Sequence, residues 1–277
     1  MANSAKDERI MRRLHEHLDA VTEKHPRWVG IFLQGSQNYG LDYDGSDIDS
    51  KLITLPSFED FVLNRKPVSY THIMDNNEHV DVKDIRLMFE CFRKQNINFV
   101  EILFTKYRIL NPVYEDSYMR VLNIRERIGR YNNYAALNCI CGTAYEKQKA
   151  LCHPYPATIE KINRFGYDPK QLHHILRLSE FMIRWIKGEP YQDCLVSKLS
   201  DMLVSVKKDG AGMPVDEALG WADYFVSTMK KMKDNYMDTH GVEIDRGVDE
   251  ILNSVLVEMF KKAFVLDISD DDAKGAS

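Results

Sequence analysis

Apolar residues recur every three or four positions near the start of the chain, and Ile10, Leu14, Leu18 and Val21 predict an amphipathic helix over about 5–24. The period then changes. Residues 28–33 (WVGIFL) form a short apolar run that reads as a buried strand, ended by Gly35-Ser36. A loop rich in Gly, Asp and Ser leads to Ser46, and a second strand follows over 48–55. Pro56-Ser57 opens a short helix over 58–63, with Ser57 as its cap. Two more strands are expected at 68–74 and 79–83, joined by a turn at Asn76-Asn77. A helix with Ile85, Phe89 and Phe92 on its apolar side comes next, and the apolar run 99–104 reads as a last strand.

Beyond this point the pattern is almost wholly helical, as at 134–151, 169–187, 215–236 and 251–264. The expected fold class is therefore α+β: a small mixed sheet with helices over 1–112, followed by an all-helical domain over 113–266 that closes a cleft. The acidic tail 267–277 (DISDDDAKGAS) has little apolar content and is expected to be disordered.

Composition narrows the class. With 44% hydrophobic and 29% charged residues among 277, the chain reads as an ordinary globular protein. No apolar run approaches the ~20 residues that span a bilayer, and the charged start lacks a secretion signal's apolar stretch. Five scattered cysteines suit a reducing compartment better than a disulfide framework, so a cytoplasmic location and no membrane partner are expected. A net charge of −5 argues against a nucleic-acid coat protein, but it leaves room for a local basic cleft. Oligomeric state cannot be read from the sequence.

Chemistry concentrates in 31–53, IFLQGSQNYGLDYDGSDIDSKLI. Asp47 and Asp49 are two apart on a strand and project to one face, where their charges repel unless a cation lies between them. Asp-Gly-Ser-Asp is also ordinary turn chemistry, so the pair alone leaves both readings open. Asp81 shifts the balance. It lies between Val80 and Val82 in a predicted strand, where an unpaired carboxylate costs several kcal/mol. If the two strands are neighbours, three carboxylates converge into an oxygen-rich set suited to magnesium or manganese, with two ions expected once nucleotide is bound.

Gly-Ser after a strand, Asp-x-Asp on the next strand and a third Asp between apolar residues resemble the DNA polymerase beta superfamily of nucleotidyltransferases. Gly35-Ser36-x-Asn38-Tyr39-Gly40-Leu41 followed by Ser46-Asp47-x-Asp49 is similar to the RNA repair pathway DNA polymerase beta family, with Asn38 where many members carry alanine. Asp84-Ile85-Arg86, the stretch 98–104 and the stretch 167–178 (YDPKQLHHILRL) continue the likeness. The resemblance implies a polymerase-beta-like core in which Asp47, Asp49 and Asp81 are both catalytic and metal-binding. It also implies that Gly35 and Ser36 open a helix whose N-terminus holds the phosphates, with Asn38 and Tyr39 beside it.

In the last of these stretches Asp168 suits an N-cap and Pro169 the first helical position. Lys170, His174 and Arg177 then fall along one helical face; a solvated basic face is the alternative, but the row together with the resemblance favours contact with a triphosphate. His173 points elsewhere on the helix. Tyr145 is a candidate to stack on a base or ribose. Arg120, Arg125, Arg127 and Arg130 are better read as a solvated face than as an RNA groove, and Cys139-x-Cys141 with Cys152-His153 as core cysteines rather than a zinc site.

The function expected is metal-dependent transfer of NMP from ATP or another NTP to an acceptor hydroxyl, releasing pyrophosphate. The resemblance points to an RNA 3′ end as acceptor. Protein AMPylation, small-molecule nucleotidylation and a non-catalytic nucleotide sensor remain the alternatives.

Overall fold

The computed structural model describes residues 2–43 and 45–275, with side chains described over 5–43 and 45–267. Its first helix, α1 (Ala2–Thr22), buries Ile10, Leu14, Leu18 and Val21, the stripe marked by their spacing. β1 (Trp28–Gln34) and β2 (Asp49–Thr54) follow. In α2 (Phe58–Val62), the cap Ser57 accepts the Asp60 N–H at 2.9 Å. β3 (Ser69–Ile73), β4 (His79–Asp84) and α3 (Ile85–Arg93) come next.

The run 99–104 departs from expectation. It is helical, forming the end of α4 (Ile97–Val100) and a 3-10 turn over Glu101–Leu103. Asn96 caps α4 by accepting the Asn98 N–H, and Ile97, Val100, Glu101, Ile102 and Leu103 are all buried. A short apolar run carries no period of its own, so a local cap decides its conformation. The fifth strand is instead β5 (Arg108–Leu110).

The strands form one mixed sheet in the order β3-β4-β2-β1-β5. β2 and β4 run parallel, with Lys51 opposite Asp81, whereas β1 pairs antiparallel with β2 and β5, and β3 with β4. On one face Ile31, Leu33, Leu52, Val80 and Val82 pack under α1. On the other, Phe32, Ile53, Phe89 and Phe92 belong to a core that continues without a break into the helical region.

That region contains α5 (Glu115–Asn123), α6 (Arg125–Ile128), α7 (Asn133–Ala150), α8 (Ile159–Phe165), α9 (Pro169–Ile186), α10 (Tyr191–Leu195), α11 (Ser200–Asp209), α12 (Val215–His240) and α13 (Arg246–Gly275). α9 is central, packing against α7, α10, α11 and α12 and burying Leu172, Ile175, Leu178, Met182 and Trp185. Its cap Asp168 is 1% exposed and accepts the Lys170 N–H at 3.0 Å. Asp168→Ala is therefore expected to cost about 1 kcal/mol, read as a lower melting temperature.

α13 continues to Gly275, through most of the acidic stretch 267–277. Asp267 explains its start. Its carboxylate accepts from Arg27 Nε at 2.6 Å and from the Phe58 N–H at 2.8 Å, tying the helix to the residue before β1 and to the start of α2. Residues 276 and 277 lie outside the described residues. Among the described residues no helix is long and apolar enough to cross a membrane.

Candidate active site

A cavity of about 580 Å³ opens between the sheet and the helices, and the residues lining it come from both. Asp47, Asp49, Lys51 and Asp81 line it from the sheet, and Lys170, His174, Arg177 and Lys207 from the helices. The sheet places the acids by simple alternation. Asp49 and Lys51 share one face of β2, His79 and Asp81 the same face of β4, and the parallel register sets Lys51 beside Asp81.

The three carboxylates share the cavity but not a common centre. Among the described residues no group of three His, Cys, Asp or Glu side chains is placed to hold a metal ion. Asp81 is bound elsewhere. Its Oδ2 accepts from Lys51 Nζ at 2.9 Å and Gln34 Nε2 at 3.3 Å, and its Oδ1 from Thr71 Oγ1 at 2.7 Å. Burial pushes Asp81 up, but the Lys51 charge and these hydrogen bonds outweigh it and hold the group below the usual carboxylate range. The β2/β4 register is what places the Lys51 ammonium against the third acid.

Among the described residues Asp47 and Asp49 meet no ammonium or guanidinium, although the His79 Nδ1 lies 3.7 Å from Asp49 Oδ1. Asp47 is exposed, while Asp49 is half-buried and its Oδ1 accepts the His79 N–H at 2.9 Å. Burial raises the Asp49 pKa, and the neighbouring Asp47 charge adds to the rise. Two hard oxygen donors suit magnesium, which is held by one or two carboxylates together with substrate phosphates rather than in an all-protein cage. The donor set thus fits an ion that arrives with a nucleotide.

Gly35 and Ser36 line the cavity, but the helix expected there is a three-residue 3-10 turn, Ser36–Asn38. The N–H groups of Tyr39 and Leu41 both return to the Ser36 carbonyl, folding the chain back before a longer helix can form. Gly35 has φ 86 and ψ −156, a conformation essentially confined to glycine. Asn38 braces the turn instead of facing ligand, donating to the Leu33 carbonyl at 2.8 Å and accepting from Thr105 Oγ1 at 2.7 Å. Tyr39 does line the cavity, with the Arg177 guanidinium 3.9 Å above its ring.

Beneath this turn lies Glu101, 3% exposed, whose Oε1 accepts the Gly35 N–H at 3.2 Å while Oε2 has no partner. Burial pushes its carboxyl from the ordinary 4.5 to about 8, against the pull of Arg177. The unfolded chain releases this proton near 4.5, so over the interval up to about 8 the folded state binds the extra proton. The stability this group contributes is complete below 4.5 and is lost as pH rises through about 8. Glu101→Gln is expected to flatten that decline, stabilising the protein more at the alkaline end of the interval than at the acid end. Thermal melts across the interval check this, and parallel wild-type and variant curves would refute it.

The helical wall is cationic. Lys170 is exposed and Arg177 buried, and among the described residues neither is ion-paired, although Arg177 lies within reach of the Glu101 charge. His174 departs from the expected basic row. Burial, with Arg177 and other cations nearby, drives its pKa well below the ordinary value, so it offers hydrogen bonds rather than charge. His173 Nδ1 bonds the Leu203 carbonyl at 2.8 Å, and burial lowers its pKa to about 4.

Tyr145 lies outside the cavity lining. It is 49% exposed on α7 with Lys149 Nζ 4.4 Å over its ring, because its helical position turns it to solvent. Arg120, Arg127 and Arg130 are bound to Glu258, to Asp245 and to the Trp185 and Glu189 carbonyls. The cysteines are free thiols.

Four charged lining residues escaped the sequence reading. Lys51 was visible two positions after Asp49, and Glu101 as an acid inside an apolar run, the signal that marked Asp81. Lys161 and Lys207 carry no sequence signal, since only the packing of α8 and α11 brings them to the rim.

Neither a protein-family model nor a curated protein matches the sequence. Among solved structures, the chain is similar to a nucleotidyltransferase-like protein from Exiguobacterium sibiricum, at 12% identity and a TM-score of 0.32, over 82% of this chain and 78% of that one. So distant a likeness assigns no activity to this chain.

Proposed function

We propose that this chain is a nucleotidyltransferase that moves NMP from a nucleoside triphosphate to an acceptor hydroxyl and releases pyrophosphate. One observation carries this reading: two carboxylates, Asp47 and Asp49, share a single cavity with the cations Lys170 and Arg177. A polyanion held on the cationic wall would bring its phosphates to the carboxylates, which need a divalent cation to tolerate them. Asp47 and Asp49 would hold magnesium or manganese, which when bound neutralises phosphate charge and polarises the α-phosphorus.

The remaining work falls to the chain's own side chains. Arg177, held over the Tyr39 ring, and Lys170 bind the phosphates. The Gly35 turn lets backbone approach the ligand closely. Asp81, kept ionised beside Lys51, accepts the acceptor's proton as its oxygen attacks the α-phosphorus. The bond from the α-phosphorus to the bridging oxygen breaks, and pyrophosphate leaves with its charge met by Lys170 and Arg177. Catalysis is then chiefly positioning and electrostatics.

An RNA 3′ end is the acceptor we favour, from the sequence resemblance. Incubation with each NTP and magnesium should release pyrophosphate in the presence of RNA. No release with any NTP in cell extract would end the catalytic reading and leave a nucleotide sensor. Labelled NTP added to extract, followed by nuclease or protease, separates an RNA acceptor from a protein.

A further inference from the structure

We propose that Glu78 is the positioning residue for Asp47 and Asp49, acting from behind the sheet through the backbone of Ile48; the proposal rests on the nucleotidyltransferase reading above. Asp47 and Ile48 precede β2, whose pairing with β1 begins at Asp49 and with β4 at Ser50. The residue between the two acids is therefore outside the sheet ladder. Its N–H is donated to Glu78 Oε1 at 3.3 Å. The following residue, His79, donates its own N–H to Asp49 Oδ1 at 2.9 Å. Two consecutive residues thus grip the acid pair, one through its backbone and one through a carboxylate.

Glu78 is itself fixed. Arg13 Nε donates to its Oε2 at 2.7 Å, and His17 Nε2 lies 2.9 Å from the same oxygen. His17 Nδ1 lies 2.9 Å from Ser50 Oγ. An ionised carboxylate can only accept, so Nε2 carries the proton and Nδ1 accepts from the Ser50 hydroxyl. The chain of bonds runs from Ile48 through Glu78 and His17 to Ser50 and encloses Asp49 on both sides. Ser50, His17 and Glu78 follow the order of a nucleophilic relay, but Ser50 and His17 are 0% exposed and no substrate reaches the hydroxyl. Burial makes this a brace. Its consequence is local: a shift of Ile48 moves Asp47 relative to Asp49, and the distance between them decides whether both can hold one ion.

The test is manganese binding, followed by electron paramagnetic resonance with a non-hydrolysable NTP analogue present. Glu78→Gln keeps an oxygen acceptor for Ile48 and should retain binding, whereas Glu78→Met keeps the bulk, lacks the acceptor, and should weaken binding about tenfold or more. Metal-free affinity for the analogue should be unchanged in both. Equal manganese affinity in wild type and Glu78→Met, measured well below melting, overturns the proposal and leaves the nucleotidyltransferase reading standing. Wild type that binds no manganese sinks both. If Glu78→Met does not fold, Ser50→Ala, which unhooks His17, should weaken manganese binding, and unaltered binding there overturns the proposal.

Discussion

Asp49→Asn is expected to lower pyrophosphate release by about a thousandfold or more, because losing a metal ligand forfeits several kcal/mol of transition-state charge stabilisation. Asp47→Asn should do the same. The fold should survive, since an asparagine Oδ1 can still accept the His79 N–H that Asp49 accepts at 2.9 Å. Stability should hold or rise near neutral pH. Burial and the Asp47 charge raise the Asp49 pKa, so its ionised form is the disfavoured one in the folded state, and a neutral amide removes that cost. Parallel assays of turnover and thermal melting check both halves. Full turnover in either variant would end the proposal of a metal-holding pair.

Arg177→Ala is expected to weaken triphosphate binding by about 10- to 100-fold, the loss of one charge-assisted contact at roughly 1.5–3 kcal/mol. Affinity for the corresponding nucleoside, which lacks phosphates, should not change. Two other consequences must be separated from the lost contact. The Arg177 guanidinium covers the Tyr39 ring at 3.9 Å, and its charge opposes the burial penalty on Glu101. The double variant Arg177→Ala, Glu101→Gln removes the second effect. If it binds triphosphate as wild type does, the single variant's defect came from a stranded Glu101, and Arg177 is not a phosphate contact. Equilibrium titration with the four proteins, including Glu101→Gln alone, completes the cycle.

Much of the fold was legible in local pattern. The stripe Ile10, Leu14, Leu18, Val21, the alternating strand around Val82 and the capped helix after Asp168 each carry their period or cap within a few residues. The run 99–104 carried neither, and Asn96 turned it into helix. The site divides the same way. Asp47 and Asp49 announce themselves by their spacing of two, although only Asp49 lies on β2 and Asp47 precedes it, and Asp81 announces itself by being an acid between valines.

What the sequence determined by itself was the set of acids, the glycine turn after β1 and the capped α9 that carries Lys170 and Arg177, because each depends on neighbours within about one turn or one pleat. Tertiary structure alone decided which acid remains available. A parallel β2/β4 register placed Lys51 against Asp81, and packing of α9 neutralised His174 while leaving Arg177 charged over Tyr39. Charge pairing and desolvation depend on partners far away in the chain, and no local period encodes them.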